Sequence, residues 1–189
     1  MLDPAVLMRR AIRYVCDEHK VDPVAIQQLP RPVQDKFQDL AIAVRDDMEF
    51  NQLKYFRPFQ HQLRFFATGT SDRRGILAAN RIGKTVSTCY ETAMHLTGLY
   101  PSWWTGKRYA KPITAMVAGE GWSQVALVLQ NELLGTNDVK IKDHIGTGAI
   151  PRACIITETM RSDGANCIGV EIRHTSGSKS YLLFANYTQ

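Results

Sequence analysis

The run Ala78-Ala79-Asn80-Arg81-Ile82-Gly83-Lys84-Thr85 constrains this chain more than any other stretch. A glycine followed directly by lysine and threonine, behind a short apolar run, describes a loop whose backbone N–H groups turn inward around an anion and lead into a helix N-terminus. Both flanks have the right character. Gly75-Ile76-Leu77-Ala78-Ala79 is small and apolar, as a buried parallel strand is, and residues 85–97 place Val86, Cys89, Tyr90, Ala93 and Leu96 at helical spacing. In such a strand, loop and helix, Lys84 reaches the β- and γ-phosphates of a nucleotide, and the Thr85 hydroxyl sits on Mg²⁺. Gly83 leaves room where any side chain would meet the phosphate. Ala78 stands where the standard pattern G-x-x-x-x-G-K-T has its first glycine, so the assignment leans on the flanks. The competing reading is an ordinary strand-to-helix turn in which Lys84 is solvated and Thr85 caps the helix. The flanks favour the phosphate loop.

A chain of 189 residues, 44% of them hydrophobic, can bury one substantial core with a small appendage. Its formal charge of +5 is compatible with a polyanionic partner without requiring one. Cys16, Cys89, Cys154 and Cys167 are scattered without C-x-x-C spacing, which argues against a zinc ribbon or disulfide framework and for reduced thiols in a cytosol. The five histidines are also dispersed, so no metal site of protein ligands is expected. No apolar run approaches the roughly 20 residues of a membrane span, and the N-terminus lacks a signal-peptide pattern. A soluble protein that is not secreted is expected.

Residues 2–20 carry Leu7, Ala11, Tyr14 and Val15 on one helical face, with Arg9, Arg10 and Arg13 elsewhere on the surface. Pro23, Pro30 and Pro32 break the pattern, and a second helix starts near Pro32 with Phe37, Leu40, Ala41, Val44 and Met48 in phase. Residues 1–55 therefore read as a helical appendage, and residues 56–189 as an α/β core. In that core residues 61–67 form a short helix, and Pro112-Ile113-Thr114-Ala115-Met116-Val117-Ala118 a buried strand. Residues 123–134 form a further helix that Gly135 ends. Two alternating segments around Ile168-Val170-Ile172 and Tyr181-Leu183-Ala185 are joined at Ser176-Gly177 as a hairpin. The sheet as a whole is expected to be mostly parallel and flanked by helices.

Hydrolysis needs more than a phosphate loop. An apolar strand ending in aspartate completes the Mg²⁺ shell, and a glutamate commonly follows to polarise the attacking water. Cys154-Ile155-Ile156-Thr157-Glu158 lacks the aspartate and reads as an ordinary strand, while the acids of Arg45-Asp46-Asp47 lie in a helix before the loop. The expectation is that the metal-holding strand lies beyond Gln189 in a longer ATPase. If these residues are the entire product, the chain binds nucleotide far better than it hydrolyses it.

Three separated stretches resemble the N-terminal ATPase region of the large subunit of tailed-bacteriophage terminases. They are Arg57-Pro58-Phe59-Gln60, then Asn80-Arg81-Ile82-Gly83-Lys84-Thr85, then the aromatic turn Leu96-Thr97-Gly98-Leu99-Tyr100-Pro101-Ser102-Trp103-Trp104-Thr105-Gly106-Lys107-Arg108. The last separates this family from kinases and small GTPases, because nucleotide chemistry in general does not need it. The resemblance runs from about Phe56 to Gln189 and weakens after Gly135. It implies a P-loop NTPase core that uses ATP and Mg²⁺, held by Ala79, Asn80, Arg81, Ile82, Gly83, Lys84, Thr85 and Val86. Phe59 would stack beside the base, and Gln60 would either read the adenine edge or decorate a helix. Lys84 and Arg81 are the catalytic candidates: Arg81 either pairs with the γ-phosphate or bridges to a nearby carboxylate. Trp103 and Trp104 read as core or turn packing.

The resemblance also implies ATP hydrolysis coupled to translocation of double-stranded DNA into a procapsid in the host cytoplasm. The partners would be a portal protein, a terminase small subunit and further copies in a ring on the portal. A C-terminal nuclease belongs to that picture, but no carboxylate cluster for it can be assembled from this sequence. The alternatives are a helicase-like, nucleic-acid-stimulated ATPase and a non-hydrolysing scaffold with a vestigial loop.

Overall fold

The computed structural model describes residues 3–187. Residue 2 of the first expected helix, and the last two residues of the chain, lie outside the described residues.

α1 (Pro4–His19) starts where the Asp3 carboxylate accepts a hydrogen bond from the Ala5 N–H at 2.9 Å, with Pro4 in the first turn. α2 (Arg31–Phe50) returns antiparallel against it, and Pro30 and Pro32 mark its start as their fixed φ predicts. Leu7, Met48 and Tyr55 form a small apolar cluster of their own, with Tyr14 and Val44 packed against it. A turn over Gln52–Tyr55 leads to α3 (Gln60–Phe66), and α4 (Lys84–Thr97) follows the glycine-lysine-threonine loop. Arg57 ties the boundary back to α1, its guanidinium donating to Asp17 at 2.6 Å and Glu18 at 3.2 Å.

β1 (Thr114–Gly119) is followed by a helix that begins as α5 (Trp122–Gln124), widens into a π-helical turn (Val125–Gln130) and ends as α6 (Asn131–Leu134). Gly135, at φ 87°, closes it as the sequence predicts. β2 (Ile155–Asp163), β3 (Asn166–Arg173) and β4 (Lys179–Asn186) complete a sheet of order β1-β4-β3-β2. The expected hairpin at Ser176-Gly177 joins β3 to β4. Buried Val170 and Ile172 on β3 face the same core as Leu182 and Phe184 on β4.

The sheet corrects the expectation of mostly parallel pairing. Only β1 and β4 run parallel, whereas β2·β3 and β3·β4 are antiparallel, so the described sheet is mixed. Connection length explains it: short turns between β2, β3 and β4 permit only antiparallel neighbours, while a parallel pair needs a crossover such as the helix after β1. A second difference concerns residues 75–79. They join no strand, and Leu77 is fully exposed at 104%. An apolar run becomes a strand only when another strand offers its edge. β1 lies at the sheet's edge with Met116 exposed, and residues 75–79 do not pair with it.

The main core packs α4, carrying Tyr90, Ala93, Met94 and Leu96, between the sheet and the aromatic turn. Trp104 is buried and Trp103 partly so. Both contact Phe66, with ring centroids 5.7 and 5.2 Å away, which bears out their reading as packing residues. All four cysteines are free thiols. Among the described residues no helix is long and apolar enough to cross a membrane.

Candidate nucleotide site

The loop ahead of α4 is shaped by two left-handed residues. Arg81 has φ 64° and Gly83 has φ 83°, the latter serving as the N-cap of α4. Glycine is favoured at position 83 because L-residues rarely adopt that φ, while a Cβ there would lie 2.8 Å from the movable Gln62 side-chain nitrogen. The first N–H groups of α4, including those of Lys84 and Thr85, have no acceptor within the helix and carry its positive dipole end.

Lys84 folds back over the loop, donating from Nζ to the carbonyl oxygens of Ala78 and Ala79, each at 2.7 Å. An ammonium group has three donors, so one remains for a further acceptor. Ala79, Asn80, Arg81 and Ile82 are exposed, while Gly83, Lys84, Thr85 and Val86 are half-buried. Arg81 forms no ion pair among the described residues, so the carboxylate partner weighed from sequence is not realised.

α3 holds the loop from one side through residues that sequence reasoning missed. His61 Nε2 lies 2.8 Å from the Ile82 carbonyl oxygen, and the Gln62 amide donates to the Gly83 carbonyl oxygen at 3.4 Å. Gln62 Oε1 in turn accepts from the Phe59 N–H at 2.9 Å. Phe59 is 71% exposed, its ring stacked on His61 with centroids 5.8 Å apart, and Gln60 is exposed on the first turn of α3. His61 and Gln62 sit beside Gln60 in sequence, but neither has a motif spacing that marks it.

On another side the Arg74 guanidinium pairs with the buried Glu91 carboxylate, which also meets His95 Nε2 at 3.3 Å. Burial pushes the Glu91 carboxyl up, but hydrogen bonds from His95 and Arg74 outweigh it and hold the group below its ordinary range.

A cavity of about 640 Å³ opens between α1, the Gln52–Tyr55 turn, α4 and the segment around residues 131–149. Phe59 and Val86 line it, which connects it to the first turn of α4. Stacked rings of Phe56 and Tyr90, centroids 3.9 Å apart, form part of its wall. Buried Gln52 is committed at both ends of its amide: Nε2 donates to the Thr147 carbonyl oxygen at 2.6 Å, and Oε1 accepts from the Tyr90 hydroxyl at 3.3 Å.

The class these features define is an α/β protein with a core helix that opens on a glycine-lysine-threonine loop. Over 115 residues the chain is 31% identical to the large subunit of terminase from Salmonella phage P22, a match that takes in 54% of this chain. It is therefore related to a terminase large subunit, as the motifs led us to expect. The match covers 23% of the relative's length, so the chain spans only part of it. No family model matches the chain, and no solved structure matches it.

Proposed function

We propose that this chain is the ATP-binding motor part of a viral DNA-packaging terminase large subunit. In this reading residues 56–189 are part of a P-loop NTPase core, and residues 1–55 are a helical appendage on it. The separate apolar cluster of Leu7, Met48 and Tyr55 supports that division. The observation that carries the reading is the pairing of left-handed Gly83 with Lys84 and Thr85 at the start of α4, beside a cavity large enough for a nucleoside.

The residues present fit a magnesium nucleotide. Open amides at the helix start and the free donor of Lys84 complement phosphate oxygens. Ala79, Asn80, Arg81 and Ile82 would wrap the phosphates, the Thr85 hydroxyl would enter the Mg²⁺ shell, and Val86 and Phe59 would lie toward the base. Gln60 would read adenine by turning from solvent. Arg81, exposed and without an ion pair among the described residues, would meet the γ-phosphate, where bound ATP supplies the phosphoryl group whose hydrolysis drives packaging. Double-stranded DNA, the portal, the small subunit and a ring of copies would be the partners.

The test is ATP binding by the full-length protein and its Lys84→Ala variant. Loss of saturable ATP binding in the variant, with the fold intact by circular dichroism, is expected. Equal affinity in the two proteins would remove Lys84 from this role.

A further inference from the structure

The wall of the cavity beside α4 carries one partly buried acid that the other side chains leave open to a ligand. Glu132, on α6, faces this space, and among the described residues its carboxylate makes no hydrogen bond or ion pair. Three other polar side chains on the wall are already bonded: Gln52 at both ends, the Tyr55 hydroxyl donating to Asp47 at 2.5 Å, and Asp17 accepting from Arg57. Arg10 and Arg13 look into the same cavity from α1, but neither bridges to Glu132. Burial without a compensating partner pushes the Glu132 carboxyl up.

An ionised carboxylate has only acceptors, so its complement is a ligand that brings N–H donors. The walls are aromatic and apolar around Phe56, Tyr90 and Phe59, which suits a planar ring, and Val86 links the space to the helix start where phosphates would sit. Building on the nucleotide reading above, we propose that Glu132 is a specificity-determining residue that accepts a hydrogen bond from the exocyclic amino group of adenine. A base without that group forgoes this bond, so the two nucleotides separate by the strength of one hydrogen bond to a charged group.

The experiment compares ATP with purine riboside triphosphate, which lacks only the 6-amino group, by equilibrium binding to the full-length protein. The unmodified protein is expected to prefer ATP by about 10- to 100-fold, the range for a hydrogen bond to a charged group. In Glu132→Leu, of similar volume and without acceptors, the ratio should fall to near one while purine riboside triphosphate keeps its affinity. Equal affinities in the unmodified protein overturn the proposal whether or not the variant folds. So does a Glu132→Leu variant that weakens both nucleotides alike, the outcome expected if Glu132 serves Arg10 rather than the base. A GTP preference that Glu132→Leu removes overturns the adenine assignment. In each of these cases binding that still depends on Lys84 leaves the nucleotide reading standing, whereas absence of any saturable nucleotide binding overturns both.

Discussion

Arg74 and Glu91 join the segment that enters the glycine-lysine-threonine loop to the helix that leaves it, 17 residues further along the chain. The Glu91 side chain is only 6% exposed, so its charge depends on Arg74 and His95 for compensation. Glu91→Gln should therefore cost roughly 3 kcal/mol at neutral pH, as removing one partner of a buried pair does. The carboxyl is held below its ordinary value of 4.5 in the folded state. Its stabilisation is thus fully present above the unfolded value and lost as pH falls through the folded one. Urea unfolding of both proteins should show the gap closing below about pH 4.5; a gap that persists in acid would mean the carboxylate charge is not its source.

Tyr90 and Gln52 predict a second, smaller effect. Tyr90→Phe removes one donor to the buried Gln52 amide and should cost about 1 kcal/mol. Gln52→Leu strands both the Thr147 carbonyl oxygen and the Tyr90 hydroxyl, and should cost about 2 to 3 kcal/mol. Chemical denaturation measures both, and equal costs for the two variants would show that the contact with Thr147 adds nothing.

Helices, capping and turn positions were legible in the sequence because they are written in local spacing. α4 begins at Lys84 where the loop pattern puts its start, Gly135 closes α6, and Ser176-Gly177 turns the hairpin. What could not be read is what depends on neighbours distant in sequence. Residues 75–79 have strand composition, but pairing is a property of two segments, and among the described residues no strand pairs with them. Gln62 and Glu132 carry no motif, because their importance comes from the tertiary approach of α3 to Gly83 and of α6 to the cavity. Phe59 was found by motif and lies on the cavity, whereas its neighbour Gln60 points to solvent.

The thiols offer a check on the core. Burial pushes Cys89 and Cys167 up to about 12. At about pH 8 their thiolate fraction is then on the order of 10⁻⁴, and alkylation of the native protein should be slow. Cys154 is also pushed up by burial, but it is partly exposed and has Arg173 nearby to favour the thiolate. Mass spectrometry after timed iodoacetamide treatment should find Cys154 modified well before Cys89 or Cys167. Labelling of Cys167 at the rate of Cys154 would contradict the packing of β3 against the core.

Arg81 sits at φ 64°, a backbone region that costs an L-residue about 1 to 2 kcal/mol and glycine almost nothing. Glycine pays part of that back in the unfolded chain, about 0.5 to 1 kcal/mol, so Arg81→Gly should stabilise the fold by about 0.5 kcal/mol. No ion pair is lost in the exchange. Among the described residues no ion pair accounts for arginine at this position, and strain of this kind persists where the side chain serves a ligand. On the proposed function, Arg81→Gly in the full-length protein should be slightly more stable, retain Lys84-dependent ATP binding, and lose ATP turnover by at least tenfold. Thermal unfolding and steady-state hydrolysis measure the two effects separately. A variant that gains stability and keeps full turnover would assign Arg81 no part in the chemistry, leaving the left-handed turn itself, which glycine forms as well, as the only contribution of this position.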